Sequence, residues 1–213
     1  MAAISGGKTY HHGDLRNALI CAAVDLATEG GPERVVLREA ARRVGVSPTA
    51  AYRHFEGRGE LLAAVREHAR RALADAMERT ATRIPGADDC ALAAETRLAA
   101  LCRGYVAFAV AQPGLYRSAF STPSADDAET AAEGPGAAEV RAFTLLTDAL
   151  AAVAATARPP RVARPAAEAA AWSAVHGLSL LLLEDPLRRL PAQRRDDVVE
   201  STLAMVVSGT RAC

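Results

Sequence analysis

Apolar residues recur at helical spacing along almost the whole chain. No run of four or more residues alternates apolar and polar positions with the β-branched enrichment of a strand. The pattern therefore predicts an all-α fold. The predicted helices cover residues 14–28, 37–44, 47–55, 59–83, 91–111, 115–120, 137–157, 165–184 and 192–210. Two breaks stand out: residues 121–136, STPSADDAETAAEGPG, predict a mobile surface loop, and residues 157–165, ARPPRVARP, predict a short, stiff connection.

The junction of the second and third helices, RRVGVSPTAAYRHF, has the features of a tight corner. Two short helices that cross steeply need a small residue where they touch and a residue that accepts positive φ in the turn, and Ala41 and Gly45 meet these needs. Ser47 is a good N-cap, and Pro48 suits the first helical position. Two interpretations fit: an ordinary helical hairpin, or a helix-turn-helix that enters the major groove of DNA.

The helix-turn-helix interpretation assigns roles to the polar residues around this corner. Thr49 lies in the first turn, where a recognition helix meets base edges, and Tyr52 and His54 can donate to phosphate oxygens. Arg58 lies beside the N-terminus of the next helix, which favours a further phosphate site. The predicted DNA-binding residues are Arg38, Ser47, Pro48, Thr49, Ala50, Tyr52, Arg53, His54 and Arg58.

Residues 37–62, LREAARRVGVSPTAAYRHFEGRGELL, together with the preceding helix, resemble the TetR family of bacterial transcriptional regulators. The family pattern is LRExARxxGVSxxxxYxHFxxKxxLL. The resemblance implies an arm and a helix-turn-helix DNA-binding domain over residues 1–58, with a connecting helix and an effector-binding and dimerisation domain over residues 59–213. It also implies repression as the default function. Val36 stands where the family has a capping Ser or Thr, Arg58 replaces Lys, and Gly59 replaces a common acidic residue.

Two further segments resemble parts of this family. KTYHHGDLR resembles one branch, so Tyr10, His11 and His12 either contact phosphate or form an unspecific arm; the two histidines are adjacent, which disfavours a metal site. WSAVHGLSLLLL, residues 172–183, resembles the Trp-His-Gly motif of a recurrent TetR C-terminal domain. Trp172 and His176 share a helix face and either contact a ligand or pack as core residues.

An aromatic-rich set in the second half is the candidate effector pocket. Its members either line an apolar cavity or form a solid core. Because no cluster of charge accompanies them, the predicted effector is an apolar or aromatic small molecule, and no cofactor is predicted. The residues are Tyr105, Phe108, Tyr116, Phe120, Phe143, Trp172 and His176.

The last two predicted helices are apolar nearly all round and would expose too much apolar surface in a monomer. They predict a two-fold homodimer whose interface is a four-helix bundle. Two recognition helices would then meet successive major grooves about 34 Å apart, so the operator should be roughly palindromic. The predicted interface residues are Trp172, Leu180, Leu181, Val198, Leu203, Met205 and Val206.

Composition narrows these hypotheses. The 25 basic and 25 acidic residues give no net charge, which excludes a general polyanion binder and requires a local basic surface. The four cysteines form no CxxC pair, the start lacks the apolar core of a signal peptide, and residues 172–183 are too short to cross a bilayer. A cytoplasmic protein without membrane contact is therefore predicted.

Other classes of function have weaker support. The histidines are scattered and no GxSxG or HExxH motif occurs, so neither an enzyme nor a metal site is predicted. A helical protein-interaction module, or a ligand-binding protein without sequence-specific DNA binding, remains the alternative. Binding to DNA that weakens steeply with salt would separate a regulator from either alternative.

Overall fold

The computed structural model describes residues 12–83, 89–122, 137–156 and 165–212, and all regular structure within them is helical. This confirms the predicted fold class. The helices are α1 (His12–Gly30), α2 (Leu37–Val44), α3 (Pro48–Tyr52), α4 (Arg58–Thr82), α5 (Cys90–Ala111), α6 (Pro113–Ala119), α7 (Ala137–Ala155), α8 (Pro165–Leu183) and α9 (Ala192–Ala212). Short 3-10 turns occupy Pro32–Arg34 and Leu187–Arg189. The predicted loop and stiff connection lie outside the described residues, except for Ser121, Thr122 and Pro165.

The first three helices pack against one another and contribute to the core that runs through the described residues. α1 ends where Gly31 adopts φ 86°, a left-handed conformation that glycine accepts without strain, and Pro32 then starts the 3-10 turn. Leu19 and Leu26 of α1 are fully buried, as is Ala40 of α2. These contacts fix the direction in which α2 and α3 leave α1.

Helix α4 belongs to both halves of the molecule. Its first turns contribute Leu61 and Val65 to the core shared with α1, and its later turns pack against α5, α6 and α7. α5 approaches α4 closely at Gly104, where a Cβ atom would lie 2.8 Å from the Ala76 carbonyl oxygen. A rigid rod of 25 residues thus runs from the helix-turn-helix into the second domain.

Helices α5, α7, α8 and α9 form the bulk of the second domain, with α6 beside α4 and α1. α8 is 19 residues long and is apolar enough to cross a membrane by length and composition, as is the pair of α5 and α6 taken together, although that pair is bent by 113°. The predicted helix of residues 165–184 matches α8, but residues 172–183 alone were too short to cross a bilayer. The alanine-rich turns before Trp172 lengthen the apolar stretch. α8 contacts α5, α7 and α9 on one side only, and 28% of its most apolar stretch is buried. A broad apolar face is left uncovered.

Candidate DNA interface and effector site

The turn between α2 and α3 has the predicted geometry. Gly45 adopts φ 79° and ψ 29°, and the Val46 amide donates to the Ala41 carbonyl oxygen at 3.0 Å. A hydrogen bond of this type closes a helix end over a left-handed residue. No atom lies within 4 Å of a Cβ built on Gly45, so glycine is required for its backbone conformation and not for space.

Helix α3 is short and turns one face outward. The Ser47 side chain accepts a hydrogen bond from the Ala50 amide at 3.2 Å, and Pro48 occupies the first turn, which confirms the predicted cap. Ala51 is fully buried. Tyr52 is 48% exposed. The other predicted contacts on this segment are exposed or half-buried: Ser47, Pro48, Thr49, Ala50, Arg53 and His54.

The basic residues near α3 differ in how their charges are compensated. Arg42 donates two hydrogen bonds to Glu39, at 2.7 and 2.8 Å, and these bonds lower the pKa of Glu39 to about 2. Arg43 pairs with Glu29 of α1. Arg38 and Arg53 are exposed and form no ion pair with any described residue, so they supply the uncompensated positive charge of this surface.

Arg58, predicted to lie beside a phosphate, is half-buried at the start of α4 and binds its own chain. Its guanidinium donates to the carbonyl oxygens of Pro32, at 2.9 Å, and Val35, at 3.0 Å. These carbonyls belong to the turn between α1 and α2, where the cap residue Val36 has no side-chain hydrogen bond to offer. Because two of its nitrogens hold this turn, Arg58 joins α4 to the helix-turn-helix, and its predicted role at a phosphate lacks support.

Arg16 of α1, which was not among the predicted site residues, holds the other end of α3. It donates to the His54 carbonyl oxygen and to Glu60, the latter at 2.9 Å. Its guanidinium also lies 4.2 Å from the centre of the Phe55 ring, a cation–π distance. Since Arg is abundant in this chain, no local pattern distinguishes Arg16 from its neighbours.

The predicted effector residues meet between α5, α6, α7 and α8. His176 lies 4.7 Å from Phe120, ring centre to ring centre, and stacks on Trp172 at 6.2 Å with an interplanar angle of 9°. Tyr105 lies 5.4 Å from Trp172, whose ring is also 5.7 Å from that of Phe143. Phe108 is buried on α5 but shares no ring contact with this aromatic cluster among the described residues.

Three polar atoms converge at the centre of the aromatic cluster. The hydroxyls of Tyr105 and Tyr116 lie 2.7 and 2.9 Å from Nδ1 of His176 and 3.3 Å from each other. Burial raises the pKa of both tyrosines and lowers the pKa of the histidine. All three groups are therefore neutral near pH 7, and the aromatic cluster offers hydrogen bonds without charge.

Helix α6 joins the aromatic cluster to the DNA-binding half. A Cβ atom on Gly114 would lie 2.2 Å from the Ala27 carbonyl oxygen at the end of α1. At the other end of α6, Arg70 of α4 donates to the Ala119 carbonyl oxygen at 2.9 Å. Neither contact is indicated by the local sequence, because a Pro-Gly pair also marks an ordinary turn.

The predicted interface residues fall into two groups. Leu180, Leu181 and Met205 are exposed, at 38%, 47% and 64%, and Trp172 and Val198 are half-buried. Leu203 and Val206 are buried at 2% and 8% exposure in the core of the protomer itself. Their assignment to the interface was wrong, because α9 turns these side chains toward its own chain.

Comparison with protein families gives two matches. Residues 19–65 match the family described as bacterial regulatory proteins, tetR family. Residues 98–206, just over half of the chain, match the family described as tetracyclin repressor-like, C-terminal domain. No curated protein matches the chain significantly.

Solved structures share the fold over nearly the full length. A protein with unknown function from Rhodococcus sp. RHA1 is 26% identical, with a TM-score of 0.67, over 95% of this chain and 98% of that one. The TetR family transcriptional regulator PfmR from Thermus thermophilus is 16% identical, with a TM-score of 0.57, over 89% and 97% of the chains. The SmeT–triclosan complex is 19% identical, with a TM-score of 0.52, over 90% of each chain.

Proposed function

The chain belongs to the TetR family and is a DNA-binding transcriptional regulator, and we propose that it is a repressor that binds a palindromic operator as a homodimer and is released by a small apolar or aromatic ligand. The observation that carries the DNA-binding role is the outward face of α3. Tyr52 and Arg53 stand exposed there, on a helix whose position is fixed by Gly45, Ser47 and Arg16.

The proposed DNA contact divides into positioning and sequence recognition. Arg38 and Arg53 carry the uncompensated charge that would lie against phosphates, and Tyr52 can donate to a phosphate oxygen. Thr49, in the first turn of α3, is the side chain best placed to meet a base edge. A local surface of this kind accounts for DNA binding by a chain with no net charge.

The uncovered face of α8 supports the proposed dimer. Its exposed positions are small or apolar, namely Ala166, Ala169, Ala170, Ser173, Leu180 and Leu181, and Met205 adds an apolar side chain from α9. Small residues let helices approach closely, and the large apolar side chains lose contact with water when a second copy covers them. Burial of α8 against a second copy would account for its apolar face without a membrane. We therefore propose that the protein is cytoplasmic.

The aromatic cluster is the proposed effector site. Its hydrogen-bonding groups are neutral, and its surroundings are rings, so it would favour an apolar or aromatic molecule with one or two polar atoms. The SmeT–triclosan complex is an example of a small molecule bound to a protein of this fold. Entry of a ligand would require Tyr116 or Phe120 to move, because the rings now pack against each other.

Helix α6 is the proposed link between ligand and DNA. Movement of Tyr116 would displace α6. This helix packs against α1 at Gly114, and its Ala119 carbonyl oxygen accepts a hydrogen bond from Arg70 of α4. A ligand that favours the displaced arrangement would shift the population toward a dimer with misplaced α3 helices. A coupling of about 1–3 kcal/mol would change operator affinity about 5–150-fold. Regulators of this family are generally not enzymes, and we propose no catalytic activity.

The deciding experiment is selection of bound fragments from genomic DNA, followed by affinity measurements on the selected site. Log affinity should fall linearly with log salt concentration. Tyr52→Ala should weaken specific binding by about tenfold or more through loss of a charge-assisted hydrogen bond, without lowering thermal stability. Leu92→Ala is the matched control, because Leu92 is similarly exposed, at 55%, but lies on α5. Undiminished affinity in Tyr52→Ala, or no salt dependence, would favour a protein-interaction module.

A further inference from the structure

A cleft lies between α5, α8 and α9. Its volume is about 290 Å³, and its apolar lining is formed by Val106, Ala107 and Val110 of α5, Leu182 of α8 and Val199 of α9. Leu182 and Val106 are buried, whereas Ala107 and Val110 are exposed at the mouth. This α5–α9 cleft is thus a half-open groove bounded by three helices.

The α5–α9 cleft is separate from the aromatic cluster. Its residues on α5 lie at positions 103, 106, 107 and 110, a spacing that places them on one face of the helix. Tyr105 lies on the opposite face, toward His176. On α9, the cleft uses Arg195 and Val199, whereas the exposed Met205 lies on the other side of that helix. The α5–α9 cleft therefore remains accessible in the dimer proposed above.

Charged side chains line the rim of the α5–α9 cleft. Arg103 donates to Glu200 through Nε, at 3.0 Å, and through Nη2, at 2.7 Å, so this acid is already neutralised. Arg195 is half-buried and makes no side-chain hydrogen bond or ion pair with any residue that the structure describes. Asp196 is exposed to water. An uncompensated guanidinium at the edge of an apolar floor is suited to a carboxylate, which it can bind through two parallel hydrogen bonds.

We infer that the α5–α9 cleft is a second small-molecule site, and that it binds an apolar monocarboxylate with the carboxylate at Arg195 and the tail over Val106, Leu182 and Val199. At about 30 Å³ for each water molecule in the liquid, the volume of the cleft corresponds to roughly ten waters, which suits a ligand of about ten non-hydrogen atoms. The charges of the four ionisable rim residues sum to zero, and this lack of net positive charge disfavours a polyanion such as a nucleotide. The site does not depend on the proposed DNA-binding function.

Octanoate is a suitable probe, because it has one carboxylate and about the required size. Isothermal titration calorimetry on the full chain should detect binding of octanoate and much weaker binding of octanol, which has the same tail without the charge. Arg195→Gln should weaken octanoate binding at least about tenfold, because it removes the charge but keeps a hydrogen-bonding side chain. Ala107→Trp should abolish binding by filling the mouth of the α5–α9 cleft.

Arg194→Gln is the matched control, because Arg194 is the preceding residue of α9 and lines a different groove. Leu92→Ala is the second control, because Leu92 is exposed on α5 but does not line the α5–α9 cleft. Both controls should bind octanoate as the unaltered protein does. Absence of octanoate binding or equal binding by all variants would overturn the inference. Loss of binding in Phe120→Ala, which alters the aromatic cluster, but not in Arg195→Gln would overturn it too, because octanoate would then bind in the aromatic cluster. None of these results bears on DNA binding, which is measured separately.

Discussion

The contact between Gly114 and the end of α1 permits a quantitative prediction. In Gly114→Ala the new Cβ would lie 2.2 Å from the Ala27 carbonyl oxygen, 2.8 Å from the Thr28 carbonyl oxygen and 3.0 Å from the Gly31 nitrogen. All three atoms are backbone, so no flexible side chain can move aside. α6 and α1 would have to separate by about 1 Å to reach ordinary contact.

Two opposing terms decide the size of the effect. Overpacking of a tight contact costs about 1–3 kcal/mol, and more where backbone must move. Replacing glycine by alanine in a helix gains at most about 1 kcal/mol, and less here because Gly114 lies in the first turn of α6. A net loss of about 2 kcal/mol is expected. For a chain of this size, that loss corresponds to a decrease in Tm of roughly 4–8 °C.

Urea denaturation followed by far-UV circular dichroism measures this loss, with all proteins at one protomer concentration because dimerisation contributes to stability. Gly209→Ala in α9 is the matched control, since nothing lies within 4 Å of its added Cβ, and it should be as stable as the unaltered protein or slightly more so. Equal stability of Gly114→Ala and Gly209→Ala would show that α6 does not press against α1, and the proposed coupling through α6 would fail with it.

Three further predictions concern the other sites. Thr49→Ala should change the preferred bases in a repeated DNA selection while retaining salt-dependent binding, and an unchanged preferred site would exclude Thr49 from base recognition. Leu181→Asp should sediment as a monomer because it places a charge on the uncovered face of α8, whereas Leu92→Asp should remain dimeric; a dimeric Leu181→Asp would place the interface elsewhere. Burial lowers the pKa of His176, so the unfolded chain takes up this proton at a higher pH than the folded chain does. The free energy of unfolding should therefore fall as pH drops below about 6.5. Urea denaturation at pH values of about 7.5 and 5.5 should show a smaller fall in His176→Gln, and an equal fall would contradict this assignment.

The helix-turn-helix was predictable because its signals are local. Gly45, Ser47 and Pro48 act on the backbone within a few residues of themselves, and their roles in the structure are those that the sequence indicates. The approximate ends of the helices were predictable for the same reason, because hydrophobic periodicity and helix-breaking residues act over short stretches of sequence. The aromatic cluster was partly predictable: six of the seven predicted residues share ring contacts, whereas Phe108 shares none within the part of the chain that the structure describes.

The sequence by itself determined the all-helical fold, the corner at Gly45 and the outward face of α3, because hydrophobic periodicity and backbone conformation are encoded over neighbouring residues. Only the tertiary structure decided which apolar face of α9 is covered by its own chain, and so removed Leu203 and Val206 from the predicted interface. It also decided that Arg58 binds the carbonyls of the turn before α2, and that Gly114 lies against α1. Such pairings depend on the relative positions of helices distant in sequence, which no local pattern specifies.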